Sequence, residues 1–187
     1  MADGGNAVDL IIQDHREVEQ LFQQYEATMD AADRVEIVHQ VVHELAVHGE
    51  VEELLVYPRV RDALPDGDAL ADEAVDEHLA MKQTLNDLDS MSADDVELDD
   101  RMRELMAEVR HHVQEEESGL LPGLRQALSD DDLRDLGSKL DSAKAVVPTR
   151  PHPSAPTGPA AKMAASPPVA LVDRVRDAVR SWSDERR

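Results

Sequence analysis

One polar pattern is written twice in the first 147 residues. Asp14-His15-x-x-Val18 is followed by Glu44-x-x-x-His48-x-x-x-Glu52 and Pro58. Glu77-His78-x-x-Met81 is followed by Glu108-x-x-x-His112-x-x-x-Glu116 and Pro122. The offset is 63 residues for the first histidine and 64 for the second histidine, its glutamate and the proline. Four residues make about one helical turn, so each copy reads as two helices that carry histidines on a defined face. An α-α hairpin repeated once is the simplest fold for such a chain.

The apolar residues keep the same rhythm. Val8, Ile11, His15, Val18, Phe22 and Tyr25 predict a helix over about 6–29, with Asn6 as its N-cap. Val38, Val41, Val42, Leu45, His48, Glu52 and Leu55 predict a second over 33–63. Ala74, His78, Met81, Leu85 and Leu88 predict a third over 67–91, and Met102, Leu105, Val109, His112 and Leu124 a fourth over 95–128. A short fifth helix follows through Leu133, Leu136 and Leu140. The connections are brief and rich in Asp, Pro, Gly and Ser, which makes neighbours antiparallel. The expected fold class is all-α, an up-down-up-down four-helix bundle with a short fifth helix. Pro58 and Pro122 should each kink their helix or end its regular part just before them.

Composition separates this body from a tail. Seven prolines crowd into residues 148–168, where an extended, disordered linker is expected. In residues 169–187, Val169, Val172, Val175, Val179 and Trp182 recur at helical spacing, predicting a short amphipathic helix that docks on the body or a sister subunit, with a membrane-surface or partner-binding helix as the alternative. Residues 148–187 carry a net +3, which leaves −25 of the overall −22 charge on residues 1–147. That acidity argues against a nucleic-acid partner. No apolar run approaches the roughly 20 residues of a membrane span, and the N-terminus lacks a basic segment followed by an apolar one. A soluble, cytoplasmic protein without stable membrane association is expected; the sequence leaves its oligomeric state open.

Four His-x-x-x-Glu pairs occur (His15/Glu19, His48/Glu52, His111/Glu115 and His112/Glu116), and a single pair is compatible with a solvated helix face. Register gives two of them meaning. His15, His48, Glu52, His78, His112 and Glu116 all fall on the apolar stripe of their own helices, where an ionisable group costs several kcal/mol unless it is paired or bound to metal. Six such ligands suit two metal ions. A pseudo-twofold axis would give His15 and His48 to one ion and His78 and His112 to the other, with Glu52 and Glu116 bridging. The chain has no cysteine, so donors are nitrogen and oxygen, pointing to iron or manganese before zinc.

This arrangement, with Asp14-His15-Arg16 and Glu52-Glu53-x-x-x-Tyr57-Pro58, resembles the hemerythrin/HHE cation-binding family over about residues 6–145. The resemblance implies a bundle around a non-haem di-iron centre, carboxylate-bridged and a candidate for an oxo bridge, with peroxide, oxygen or nitric oxide as small ligand. Two departures stand out. Oxygen-carrying hemerythrins place a second histidine where this chain has Lys82, and end in His-x-x-x-x-Asp rather than His112-x-x-x-Glu116. The missing ligands leave open coordination sites, so the expected activity is catalase-like decomposition of hydrogen peroxide; the alternative is an oxygen- or nitric-oxide-binding or sensing module without turnover. A metal-free reading, with the histidines hydrogen-bonded in the core, also stays open.

Some residues have two readings. Glu44 and Glu108, one turn before a ligand histidine, either orient imidazole or face solvent. Tyr57, where the other repeat has Leu121, either approaches the metals or packs on the core. Lys82 either donates a hydrogen bond to bound peroxide or extends outward. His39 and His43 are read as surface or rim, His111 as surface and His152 as a linker residue.

Overall fold

The computed structural model describes residues 5–153. Helix α1 spans Ala7–Ala27 and α2 Ala31–Val51; a π-helical turn, Glu52–Val56, carries α2 into α3, Tyr57–Ala63. Helix α4 spans Gly67–Ser90. Helix α5, Leu98–Glu115, passes through a second π turn, Glu116–Leu120, into α6, Leu121–Ala127, and α7 spans Asp130–Lys144. Four long rods therefore form the bundle, with α7 as the fifth helix, and no strand occurs among the described residues. Asn6 caps α1 by accepting from the Asp9 N–H, and Asp30 and Ser129 cap α2 and α7 in the same way.

The prolines neither end their helices nor sit at the break. The regular α pattern stops at Val51 and Glu115, well before Pro58 and Pro122, and gives way to the π turns. There the Tyr57 N–H bonds to the Glu52 carbonyl and the Leu121 N–H to the Glu116 carbonyl. One extra residue enters each turn, and each proline falls in the first turn of the next α segment, where its missing N–H costs nothing.

Two apolar clusters fill the interior. One gathers Val8, Ile11, Val56, Val60, Leu121 and Leu124 under α7, whose Leu133, Leu136 and Leu140 close it. The other gathers Phe22, Val41, Leu85, Leu88, Met102 and Leu105 toward the opposite end. Between them runs one layer of polar side chains. Helix α7 lies close on the start of α1; a Cβ at Gly137 would stand 2.2 Å from the Gly5 carbonyl oxygen.

The body does not stop at residue 147. Val147 to Pro151 are buried, and the Arg150 guanidinium pairs with Asp89 of α4. The linker expected from residue 148 therefore begins as packed chain, because an apolar and charged anchor holds it to the bundle. The rest of that linker and the helix expected over 169–187 lie outside the described residues. No helix among the described residues is long and apolar enough to cross a membrane.

Candidate metal centre

Helices α1, α2, α4 and α5 each contribute one histidine to the polar layer, and the two π turns each begin with a glutamate that joins it. His15, His48, His78, His112, Glu52 and Glu116 are all buried. The six residues meet in the arrangement that their registers suggest. Glu52 Oε2 stands 3.0 Å from His48 Nε2 and 3.5 Å from His78 Nε2. Glu116 Oε2 stands 3.4 Å from His15 Nε2 and 3.7 Å from His112 Nε2. Each carboxylate thus touches one histidine from each pair, as a bridging ligand would. Two donor groups result, His15 with His48, Glu52 and Glu116, and Glu52 with His78 and His112.

The polar atoms at the middle are poorly satisfied by one another. Both Glu52 oxygens, Glu116 Oε2 and His15 Nε2 are buried without a hydrogen bond of proper geometry. His78 Nε2 and His112 Nε2 lie 3.1 Å apart, and two imidazole nitrogens that both face a carboxylate on their other side cannot both donate across that gap. Buried acceptors left facing each other cost about 1–3 kcal/mol apiece. Cations between them would remove that cost, so the donor set fits a metal.

Charge around the layer is strongly coupled. Enclosure disfavours the His48 cation, yet the Glu52 and Asp14 carboxylates hold its pKa up to about 10. Burial lowers His78, whereas the bond to Glu77 and the Glu116 charge raise His112 despite burial. Burial works against an ionised Glu116, but the imidazoles of His15, His112 and His48 bring its pKa down to about 2. The Tyr57 hydroxyl is pushed far above its ordinary range by burial and by Glu116 and Glu52.

Each of the four histidines turns its other nitrogen, Nδ1, to a carboxylate: His15 to Glu117 at 3.0 Å, His48 to Asp14 at 3.4 Å, His78 to Glu53 at 3.1 Å and His112 to Glu77 at 2.7 Å. Glu44 and Glu108 do not take this place. Glu44 is exposed and Glu108 accepts from the Thr84 hydroxyl at 3.1 Å. A residue one turn earlier shares the face of its histidine but not its level, and the ring's Nδ1 edge points across to a neighbouring helix. The signal for the actual partners was an acid directly beside a residue of the layer, Asp14-His15 and Glu77-His78 at offset 63, Glu52-Glu53 and Glu116-Glu117 at offset 64.

Tyr57 approaches the layer. Its hydroxyl donates to Glu116 Oε1 at 3.1 Å and lies 3.0 Å from His78 Nε2, while Leu121 keeps the equivalent position apolar. The Lys82 ammonium bonds to Glu53 Oε1 at 2.5 Å, and its side chain borders a cavity of about 20 Å³. All four histidines line that cavity with Val18, Leu45, Met81, Leu85, Val109 and Val113. His39 and His43 are half-buried on α2 and join neither donor group; His111 is exposed, beside Glu77 and Glu115; His152 is half-buried.

The family model described as Hemerythrin HHE cation binding domain matches residues 6–124, which hold all six donors. The chain belongs to the hemerythrin HHE cation-binding family. A hemerythrin-like protein of Schizosaccharomyces pombe is 32% identical over 175 residues, 93% of this chain and 86% of that protein. A DNA nickase of Nostoc sp. is 33% identical over 145 residues; the match takes in 78% of this chain and only 41% of the nickase. The crystal structure of a hemerythrin HHE cation binding domain-containing protein from Mycobacterium kansasii shares the fold, with a TM-score of 0.65, 22% identity, and coverage of 75% of this chain and 86% of that one. Membership implies metal binding, and the His/Glu layer is where this hemerythrin-like chain could hold it.

Proposed function

We propose that the layer holds two iron ions and decomposes hydrogen peroxide, two molecules giving two of water and one of oxygen. The observation that carries this reading is the sharing of Glu52 and Glu116 between the two histidine pairs. Two imidazole nitrogens and shared carboxylates would give each ion fewer than six protein donors. His15 and His48 would hold one ion, His78 and His112 the other, with Glu52 and Glu116 bridging. The irons, when bound, supply Lewis acidity and a reversible two-electron change.

The protein's own groups do the rest. Val, Leu and Met side chains make the walls of the cavity beside the histidines, and its volume of about 20 Å³ leaves room for a ligand of one or two heavy atoms. Tyr57 holds a proton at Oη, on a hydrogen bond to Glu116, where it can move to or from a ligand at the centre or where the oxygen itself can approach the metal. Lys82 acts on the centre through Glu53 and His78.

The apolar lining favours a second reading, retention of oxygen or nitric oxide without turnover. Adding peroxide to the iron-loaded protein separates the two. Sustained oxygen evolution supports decomposition, and a spectral change without it supports a binding or sensing module. Folded protein that takes up no iron would refute both. The nickase relative raises DNA cleavage as an activity to test on supercoiled plasmid, but a body of net charge −25 offers little to a phosphate backbone.

A further inference from the structure

The four carboxylates behind the histidines follow one order around the bundle. Asp14 of α1 holds His48 of α2. Glu53, in the π turn after α2, holds His78 of α4; Glu77 of α4 holds His112 of α5; Glu117, in the π turn after α5, holds His15 of α1. The path closes, each helix supporting the histidine of the next. Asp14 and Glu77 precede a ligand histidine directly, yet neither serves it. Adjacent residues leave a helix about 100° apart, so when the histidine points inward its neighbour points along the bundle wall to the next helix. At the start of each π turn the same offset sends the first glutamate to the centre and the second across to the next helix.

Each carboxylate is itself held from outside. Lys144, at the end of α7, bonds to Asp14 at 2.6 Å; Lys82 bonds to Glu53 at 2.5 Å and Arg16 to Glu117 at 2.9 Å, while His111 stands 3.6 Å from Glu77. Each histidine pair has one acid from its own hairpin and one from the other. His48 and His112 are supported within their hairpins, His15 and His78 by Glu117 and Glu53 across them.

We propose that Asp14, Glu53, Glu77 and Glu117 are positioning residues of the metal centre, a closed ring that fixes hydrogen on all four Nδ1 atoms and turns all four Nε2 lone pairs inward. The inference rests on the reading that the layer holds two ions. A carboxylate accepts only, so a histidine that donates from Nδ1 has Nε2 left for a cation. Such a partner also fixes the ring's rotation and raises its basicity, and its loss typically weakens metal binding 10- to 100-fold.

The test uses the full chain loaded with Co(II), whose paramagnetism moves the Nδ1–H protons of bound histidines far outside the ordinary proton range. Wild type should show four shifted signals in H2O that vanish in D2O. Glu117→Ala and Glu53→Ala should each lose or speed the exchange of one signal and weaken Co(II) binding 10- to 100-fold, with Glu53→Gln partly restoring both through its amide oxygen. Glu117 is the safer substitution for folding, since its side chain is 22% exposed. Wild type that binds no Co(II) or iron overturns the two-metal reading and this one with it. Wild type that binds two ions while both alanine variants keep four signals and full affinity overturns the ring alone.

Discussion

Replacing Glu52 by alanine should cost the centre both metal ions rather than one. Glu52 is fully buried, its Oε2 lies 3.0 Å and 3.5 Å from nitrogens of different histidine pairs, and it belongs to both donor groups. A ligand present at 100 times its dissociation constant stabilises the native state by about 2.7 kcal/mol per site, so two filled sites contribute about 5 kcal/mol. At about 2–4 °C per kcal/mol for a chain of this size, wild type should melt roughly 10–20 °C higher with metal than without. The Glu52→Ala variant should show almost none of that rise. Thermal melts with and without Fe(II) under anaerobic conditions measure it, each protein against its own metal-free baseline, which cancels whatever the substitution does to the empty fold. Metal analysis runs alongside, and Glu108→Ala serves as control because Glu108 bonds to Thr84 outside both groups. A Glu52→Ala protein that keeps one ion and half the rise would show that the carboxylate serves a single site, and one that keeps two would end the bridging argument.

Other consequences follow from the same geometry. Tyr57→Phe keeps the ring and removes one buried hydrogen bond to a carboxylate, so metal-free stability should fall by about 1.5–3 kcal/mol; metal content should hold while peroxide turnover falls about 100-fold or more, and unchanged turnover would exclude Tyr57 as the proton carrier. In the metal-free protein the His48 pKa is raised from 6.5 to about 10, so its contribution is complete below pH 6.5 and is lost as pH rises through 10. At about 1.36 kcal/mol per unit this amounts to at most roughly 5 kcal/mol, and His112 acts in the same direction; urea melts at pH 6, 8 and 10 with chelator present should show the decline, which a flat profile would contradict. Gly137→Ala drives a methyl into the Gly5 carbonyl and should destabilise by about 1–3 kcal/mol through α7 and α1, as a denaturant midpoint would report; an unchanged midpoint would mean that α7 can shift freely.

Much of the centre was legible in order along the chain. Histidines on apolar stripes had to be buried, and a buried ionisable group needs a partner, so the registers of His15, His48, His78 and His112 alone pointed inward. The two glutamates four residues after a histidine were equally readable. Glu53 and Glu117 were marked only by standing beside those glutamates, because a residue about 100° from the ligand face points along the bundle wall and the histidine it meets there belongs to another helix. Nor could the prolines reveal where the π turns lie, since the hydrogen-bond register changes several residues before them. Arg150 shows the same limit at the domain boundary: prolines read as linker, yet its partner Asp89 lies 61 positions away in sequence.

What the sequence alone determined is whatever depends on period and composition: an all-helical duplicated hairpin, four inward histidines, two inward carboxylates, and a donor set without thiolate. Periodicity is local, so each helix can be read without knowing its neighbour. The closed ring of outer carboxylates, the place of the Tyr57 hydroxyl between His78 and Glu116, and the anchoring of Asp14 by Lys144 from the fifth helix were decided only by tertiary structure. They are contacts between helices, set by how antiparallel rods face one another, and no spacing along one helix says which histidine each outer carboxylate meets.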